Sequence, residues 1–377
     1  MKYYIIAGEA SGDLHGSNLM KALYASDKDA EIRFWGGDAM QEQGGTMVRH
    51  IRDLAYMGFI EVAMHLPTVL KNIRFCKQDI LQYQPDAIIY IDYPGFNLKI
   101  AKFAHSRGFR NFHYISPQLW AWKKGRLKTM RRDLDALYYI LPFEQQFYAE
   151  NSFPQAQYVG HPLLDAVKQY EEKREQAANS NERPIIALLP GSRKQELRRM
   201  LPAMLRLAQA HPEYKFVVAG MTLLGQPFYD KLMAGQQYAN VEVRYDQTYD
   251  ILSQSHAALV CSGTATLETA LFGVPQVVCY QANALSVAIA RHFIGKNIRY
   301  ISLVNLIADK PIVTELIQND FSVADLERSL QEILDAERRR QISDGYNQVK
   351  EILEQEGASQ RTAQNIIKQI RNTDTQC

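Results

Sequence analysis

Short apolar runs alternate with amphipathic stretches along the whole chain, and that alternation leaves it few folds to adopt. Strand candidates in the first half are Lys2–Ala7, Ile32–Trp35, Ala87–Asp92, Asn111–Ile115 and Ala136–Leu141. Helix candidates between them are Asp13–Tyr24, Thr68–Tyr83, Leu98–Arg107 and Lys124–Arg132. The second half repeats the pattern with strands Ile185–Leu189, Lys215–Ala219, Val241–Arg244, Ala257–Cys261 and Gln276–Tyr280. Continuous apolar runs separated by helices indicate parallel sheets covered on both faces.

The two halves also begin alike. Tyr3–Ala7 leads through Gly8-Glu9-Ala10-Ser11-Gly12-Asp13 into a helix, and Ile185–Leu189 leads through Pro190-Gly191-Ser192-Arg193 into another. The charged stretch from Glu171 to Arg183 lies between them and lacks large apolar residues, which suits a linker. The expected architecture is α/β, with a Rossmann-like doubly wound domain over residues 1–170 and a second over 184–344. The tail from Phe321 to Arg371 reads as two helices, and the last, at about 345–377, is expected to pack back on the first domain. Two doubly wound sheets facing each other would form a cleft at the carboxyl ends of their strands, where such sheets bind ligands.

A length of 377 residues fits two such domains, each large enough for its own core. With 46% hydrophobic and 22% charged residues, the composition is that of a soluble globular protein and excludes intrinsic disorder. Lys plus Arg is 43 and Asp plus Glu is 41, and a nucleic-acid-binding protein would carry a more basic domain. Cys76, Cys261, Cys279 and Cys377 are scattered, which argues against a disulfide framework or a zinc finger and fits a reducing compartment. The longest uncharged stretch, Thr269–Ala290, holds Pro275, Gln276, Gln281 and Asn283; it reads as helix, turn, buried strand and helix start, not as a membrane span.

Several known signatures are missing. The chain has no G-x-G-x-x-G, no Walker phosphate loop and no G-x-S-x-G elbow, and its nine histidines show no metal-ligand spacing. Asp133-Leu134-Asp135 is one D-x-D; it reads as a helix stop flanking a buried strand, against a metal–diphosphate site. The strongest local signal is Cys261-Ser262-Gly263-Thr264-Ala265-Thr266-Leu267-Glu268, which follows an apolar strand and opens a helix. Small residues let a ligand approach the backbone, and unpaired N–H groups at a helix start attract phosphate. Glu268, one turn on, could accept from ribose hydroxyls; the alternative is an ordinary capped helix with macrodipole complementarity. Arg193, in the second strand-to-helix turn, could neutralise a departing diphosphate or could be a solvated first-turn arginine. Asp92 ends a buried strand and could act as a general base on a hydroxyl, or form a turn before Pro94.

Two stretches suggest an amphiphilic ligand. Leu54–Leu70 holds one acid, Glu61, among large apolar groups. Beyond Trp120-Ala121-Trp122, the residues Lys124, Lys128, Arg131 and Arg132 share one helical face that would suit anionic headgroups. A core helix and a solvated face are the plain alternatives.

Taken in order, Gly8–Asp13, Met57–Val62, Ile91–Asn97, Ser116–Trp122, Leu141-Pro142-Phe143-Glu144, Gly160-His161-Pro162, Leu189–Arg193 and Ser262–Glu268 resemble the lipid-A-disaccharide synthase family of inverting glycosyltransferases, from residue 3 to about 310. The resemblance implies a GT-B fold and transfer of a diacylglucosamine from UDP-2,3-diacylglucosamine to 2,3-diacylglucosamine 1-phosphate, with no metal ion or other cofactor. It implies Asp92 as general base and Arg193 beside the donor diphosphate. Gly191, Ser192, Ser262, Gly263, Thr264, Ala265, Glu268 and Asn305 are implied on the donor side. Glu9, Ser11, Gly12, Asp13, Trp120, Trp122 and His161 are implied on the acceptor side or in the cleft. Peripheral contact with anionic lipids at the cytoplasmic face of the inner membrane is expected, and the sequence leaves open whether a swapped C-terminal helix makes a homodimer. Another UDP-sugar enzyme, such as a peptidoglycan N-acetylglucosaminyltransferase or a UDP-N-acetylglucosamine 2-epimerase, and a non-catalytic nucleotide-sugar sensor remain open from the sequence.

Overall fold

The computed structural model describes residues 1–54, 66–120, 125–173, 183–233, 238–281, 299–353 and 355–374. The chain divides into two compact units, one of Met1–Asp165 with Gln355–Cys377 and one of Ala166–Glu354.

The described residues of the first unit form seven parallel strands: β1 (Lys2–Ala7), β2 (Glu31–Gly36), β3 (Thr46–His50), β4 (Ala87–Ile91), β5 (Asn111–Tyr114), β6 (Ala136–Tyr139) and β7 (Ala156–Tyr158). Their order is β3-β2-β1-β4-β5-β6-β7. The chain winds outward from β1 in one direction, then crosses back to β4 and winds the other way. Strand order therefore reverses between β1 and β4, where open α/β sheets bind ligands. The inner strands are buried along their whole length, which is why they read as unbroken apolar runs. One polar network lies within this core. The Tyr4 hydroxyl donates to Asp79 at 2.6 Å and receives the Trp35 indole N–H at 2.8 Å, while Arg33 pairs with the same Asp79.

The described residues of the second unit form six parallel strands: β8 (Ile185–Leu189), β9 (Lys215–Gly220), β10 (Val241–Tyr245), β11 (Ser255–Cys261), β12 (Gln276–Tyr280) and β13 (Thr314–Ile317). Their order, β10-β9-β8-β11-β12-β13, repeats the first unit's winding, with the reversal between β8 and β11.

Three strands were not expected from the sequence: β3, β7 and β13. All lie at sheet edges, are short and are mostly half-buried, so they lack an apolar run. The C-terminal region corrects the expectation of two helices. It forms three: Val323–Leu334, Ala336–Leu353 and Ala358–Asp374. Asp335 makes the first break, because its carboxylate accepts the N–H groups of Glu337 and Arg338 at 3.0 Å each and starts a new helix. Gly357, at φ +85°, precedes the last helix. That helix packs on Ala10–Ser26 and buries Ala363, Ile366 and Ile367. Arg361 fastens it by donating to the Val159 carbonyl at 3.0 and 2.7 Å. Among the described residues, no helix is long and apolar enough to cross a membrane.

Candidate active site

In the first unit, Glu9, Ser11 and Gly12 lie just past the carboxyl end of β1 and Asp92 just past that of β4. Glu9 is extended and caps helix Ala10–Ser26; Glu9 and Ser11 are half-buried and Gly12 is buried against Ala7. Asp13 turns inward. Its carboxylate accepts the N–H groups of Gly37 at 2.6 Å, Ala39 at 3.0 Å and Met40 at 3.1 Å, so it anchors the start of helix Asp38–Glu42. Asp92 lies one residue past β4 and is half-buried, with its N–H donating to the Tyr114 carbonyl at 3.2 Å. It has φ +44°, and Tyr93 follows at φ +47°.

Farther along the same sheet edge, Trp120 is half-buried and meets the Phe143 ring edge-on at 5.0 Å. Ser116 hydrogen-bonds the Tyr148 hydroxyl and donates to the Pro117 carbonyl at 2.9 Å. Next to this pair, Glu144 is buried and accepts the Leu141 N–H at 3.3 Å. Burial pushes its carboxyl up to about 8, so it carries a proton at neutral pH. The sequence holds Glu144 in a quoted motif but gives no sign of its burial. His161 is buried, and its Nδ1 accepts the Leu163 N–H at 3.3 Å. Burial, with nearby His15, holds it down to about 3, and it is neutral. Trp122, Lys124 and the Met57–Val62 motif lie outside the described residues.

The expected basic face is partly committed to the protein. Arg132 pairs with Asp133 at 2.6 Å and Arg131 donates to the Asn151 carbonyl at 2.7 Å, while Lys128 is exposed. Asp135, the other D-x-D carboxylate, pairs with Arg110 at 2.9 Å and accepts the Asn111 N–H at 2.7 Å. Asp135 therefore braces the start of β5, while Asp133 pairs with its chain neighbour.

In the second unit, two turns meet where the strand order reverses. Gly191 follows β8 at φ +106°; a Cβ there would lie 2.5 Å from Glu196 Oε2 and 3.3 Å from Cys261 Sγ at the end of β11. Only glycine suits both the conformation and the space. Ser192 and Arg193 are exposed. Arg193 caps helix Lys194–Ala210, where its N–H donates to Glu196 Oε2 at 3.3 Å and its guanidinium to Oε1 at 2.9 Å. A guanidinium presents up to five N–H donors in a planar fork, a geometry that matches phosphate oxygens.

Across from it, the Ser262 N–H donates to the Cys279 carbonyl and the Ser262 hydroxyl to the Ile301 carbonyl, both at 2.9 Å. Among the described residues, a Cβ on Gly263 would meet nothing within 4 Å. Thr264 and Ala265 start helix Thr264–Leu271, whose first N–H groups attract phosphate. Glu268 Oε1 accepts the Tyr249 hydroxyl at 3.0 Å, and burial raises its carboxyl pKa. Asn305 is 1% exposed, with its amide facing the protein. Its Nδ2 donates to the Val313 carbonyl and to Glu315, both at 2.9 Å, and its Oδ1 accepts the Val313 N–H at 3.0 Å. The sequence pointed to Asn305 but not to Glu315, its partner on an edge strand.

The first unit's face thus offers a carboxylate at a strained strand end, and the second's offers a cation and helix-start backbone N–H groups suited to phosphate. The family model for lipid-A-disaccharide synthetase matches residues 3–370. The lipid-A-disaccharide synthase of Syntrophus aciditrophicus is 38% identical over 98% of both chains. That of Chromohalobacter salexigens is 36% identical over 97% of this chain and 96% of its own. Among solved structures, the glycotransferase of kitacinnamycin superposes with a TM-score of 0.66 at 14% identity, covering 98% of this chain and 99% of that one. The UDP-GlcNAc 2-epimerase from Neisseria meningitidis does so at 0.65 and 12%, covering 98% and 100%. These structural likenesses bear on the fold, which is GT-B. On the strength of a match over nearly its whole length, the chain belongs to the lipid-A-disaccharide synthase family of glycosyltransferases.

Proposed function

We propose that the chain transfers 2,3-diacylglucosamine from UDP-2,3-diacylglucosamine to the 6-hydroxyl of 2,3-diacylglucosamine 1-phosphate, giving a β-1,6 disaccharide 1-phosphate and UDP. The observation that carries the chemistry is Asp92: a half-buried carboxylate past a central strand, in a conformation that non-glycine residues avoid. It takes the acceptor hydroxyl proton as the oxygen bonds the anomeric carbon. The bond from that carbon to the diphosphate oxygen breaks on the opposite side, so configuration inverts and UDP leaves with the electron pair. Arg193 and the N–H groups at Thr264 and Ala265 stabilise the charge gathering on the diphosphate. Glu268 receives ribose hydroxyls on the oxygen that Tyr249 does not engage.

Acyl chains would lie along the apolar side of the first unit, where Leu70 is 44% exposed, and Trp120 and Lys128 would meet an anionic lipid surface. That role makes the enzyme peripheral at the cytoplasmic face of the inner membrane.

Incubation of the purified protein with both acylated substrates should give a product of tetraacyl disaccharide 1-phosphate mass, with one UDP per product. Turnover of UDP-N-acetylglucosamine alone would instead indicate an epimerase. Donor binding without any product would indicate a sensor.

A further inference from the structure

We infer that Asn97 and Gly8 are positioning residues that hold Asp92 in the geometry from which it acts on the acceptor; the inference rests on the reading of Asp92 as the base.

Asp92 and Tyr93 are consecutive left-handed residues, with φ of +44° and +47° and ψ of +50° at Tyr93. Neither is glycine, and a non-glycine residue in this region is strained. Such strain persists only where surrounding groups determine the backbone. Two groups do so here.

The first is Asn97, which has no exposed surface and lies in the first turns of helix Pro94–His105. Its Nδ2 donates to the Asp92 carbonyl at 2.8 Å and reaches the carbonyls of Ile91 and Ile6 at 3.4 Å each. One side-chain amide thus joins the ends of β1 and β4 at the point where strand order reverses. Its donor is directed at the carbonyl that the left-handed turn of Asp92 presents. Asn97 Oδ1 is buried with no hydrogen-bond partner among the described residues. A buried acceptor left unsatisfied is destabilising, so an apolar side chain would relieve that oxygen. Asparagine at this position makes sense by its donor.

The second is Gly8. Its own φ is not positive; what it supplies is space. A Cβ there would lie 2.4–2.9 Å from atoms of the Tyr93 ring. The ring lies over the Gly8 backbone and stacks on Phe96 at 5.5 Å and 18°. Tyr93 is wedged between them, and Asp92 is fixed through its chain neighbour as well as through its carbonyl.

A double-mutant cycle on the purified full chain tests this, with acceptor-dependent UDP release as the rate and thermal unfolding as the check on folding. Asn97→Ala should lower kcat roughly 10- to 100-fold, the size expected from a displaced catalytic group, with KM for both substrates changed by less than about threefold. Asp92→Asn with Asn97→Ala should be no slower than Asp92→Asn alone, because a base already removed cannot be misplaced. Should Asn97→Ala fail to fold, Gly8→Ala displaces the Tyr93 ring without touching the amide, and the same coupling is expected. Losses that multiply, or a folded Asn97→Ala enzyme with wild-type kcat, overturn the inference while leaving Asp92 in its role. A wild-type rate in Asp92→Asn overturns the reading of the base, and the inference with it.

Discussion

Asn305 and Glu315 are joined by a 2.9 Å hydrogen bond that locks one loop of the second unit. Glu315 also accepts the N–H groups of Ile301 and Ser302 at 3.0 Å and the Ser302 hydroxyl at 2.7 Å. The Ile301 carbonyl in turn receives the Ser262 hydroxyl. Asn305 therefore reaches the turn at Ser262 through two intermediaries. Asn305→Ala should destabilise the protein by about 1–3 kcal/mol and weaken UDP binding together. Urea unfolding and calorimetric titration with UDP check this. Lost UDP affinity at unchanged stability would mean that Asn305 touches the ligand itself.

Arg193 should behave in the opposite way. Its side chain is 52% exposed and pairs with Glu196 at the surface, so Arg193→Ala should change stability by less than about 1 kcal/mol. The rate should fall about 10²–10³-fold if the guanidinium stabilises the departing diphosphate. Arg193→Lys should recover little, because an ammonium does not reproduce the planar donor set. Steady-state kinetics on both variants would show it.

Stability should peak near neutral pH. Burial holds His15 down to about 4 and His113 and His161 to about 3, from the usual 6.5. Their stabilising contribution is present above pH 6.5 and is lost as pH falls toward 3–4. Glu144 works in the other sense. Its carboxyl is raised from 4.5 to about 8, so its contribution is complete below pH 4.5 and is lost as pH rises through 8. Each bound-proton difference changes stability by about 1.4 kcal/mol per pH unit. Between 4.5 and 6.5 three histidines outweigh one glutamate; above 6.5 the glutamate acts alone among these four. Glu144→Gln should abolish its share of the fall between pH 6.5 and 8, about 2 kcal/mol. Identical unfolding free energies versus pH in wild type and variant would count against this.

How much the sequence reveals depends on where burial comes from. β1, β8 and β12 match their expected bounds because inner strands carry unbroken apolar runs, whose flanking polar, proline or glycine residues mark the ends. β13 escaped notice because its Glu315 faces a polar loop at a sheet edge. At the site, Asp92 was legible at the end of a strand and Arg193 in a strand-to-helix turn. Asp13, in the first turn of the helix after β1, reads as an equally good candidate, yet its carboxylate serves the backbone of a neighbouring turn, which only the folded chain brings near. Glu144 and Asn97 stood in recognisable motifs, but their significance lies in burial and in which carbonyls they meet. Those are tertiary facts that local spacing does not encode.

The last helix should be required by the first unit alone. Ile366 is fully buried on it, and Ile366→Ala should cost about 2–5 kcal/mol. UDP affinity, a property of the second unit in this account, should stay unchanged. Chemical unfolding and UDP titration on the one variant separate the two effects.

The central claim is that Asp92 removes the proton from an acceptor hydroxyl. It is tested most directly by UDP release from the diacylated donor, with and without diacylglucosamine 1-phosphate, in wild type and Asp92→Asn. The account predicts release that requires the acceptor and falls by about 10²–10⁴-fold in the variant, with donor binding retained. Release that ignores the acceptor, or a variant as fast as wild type, would contradict it.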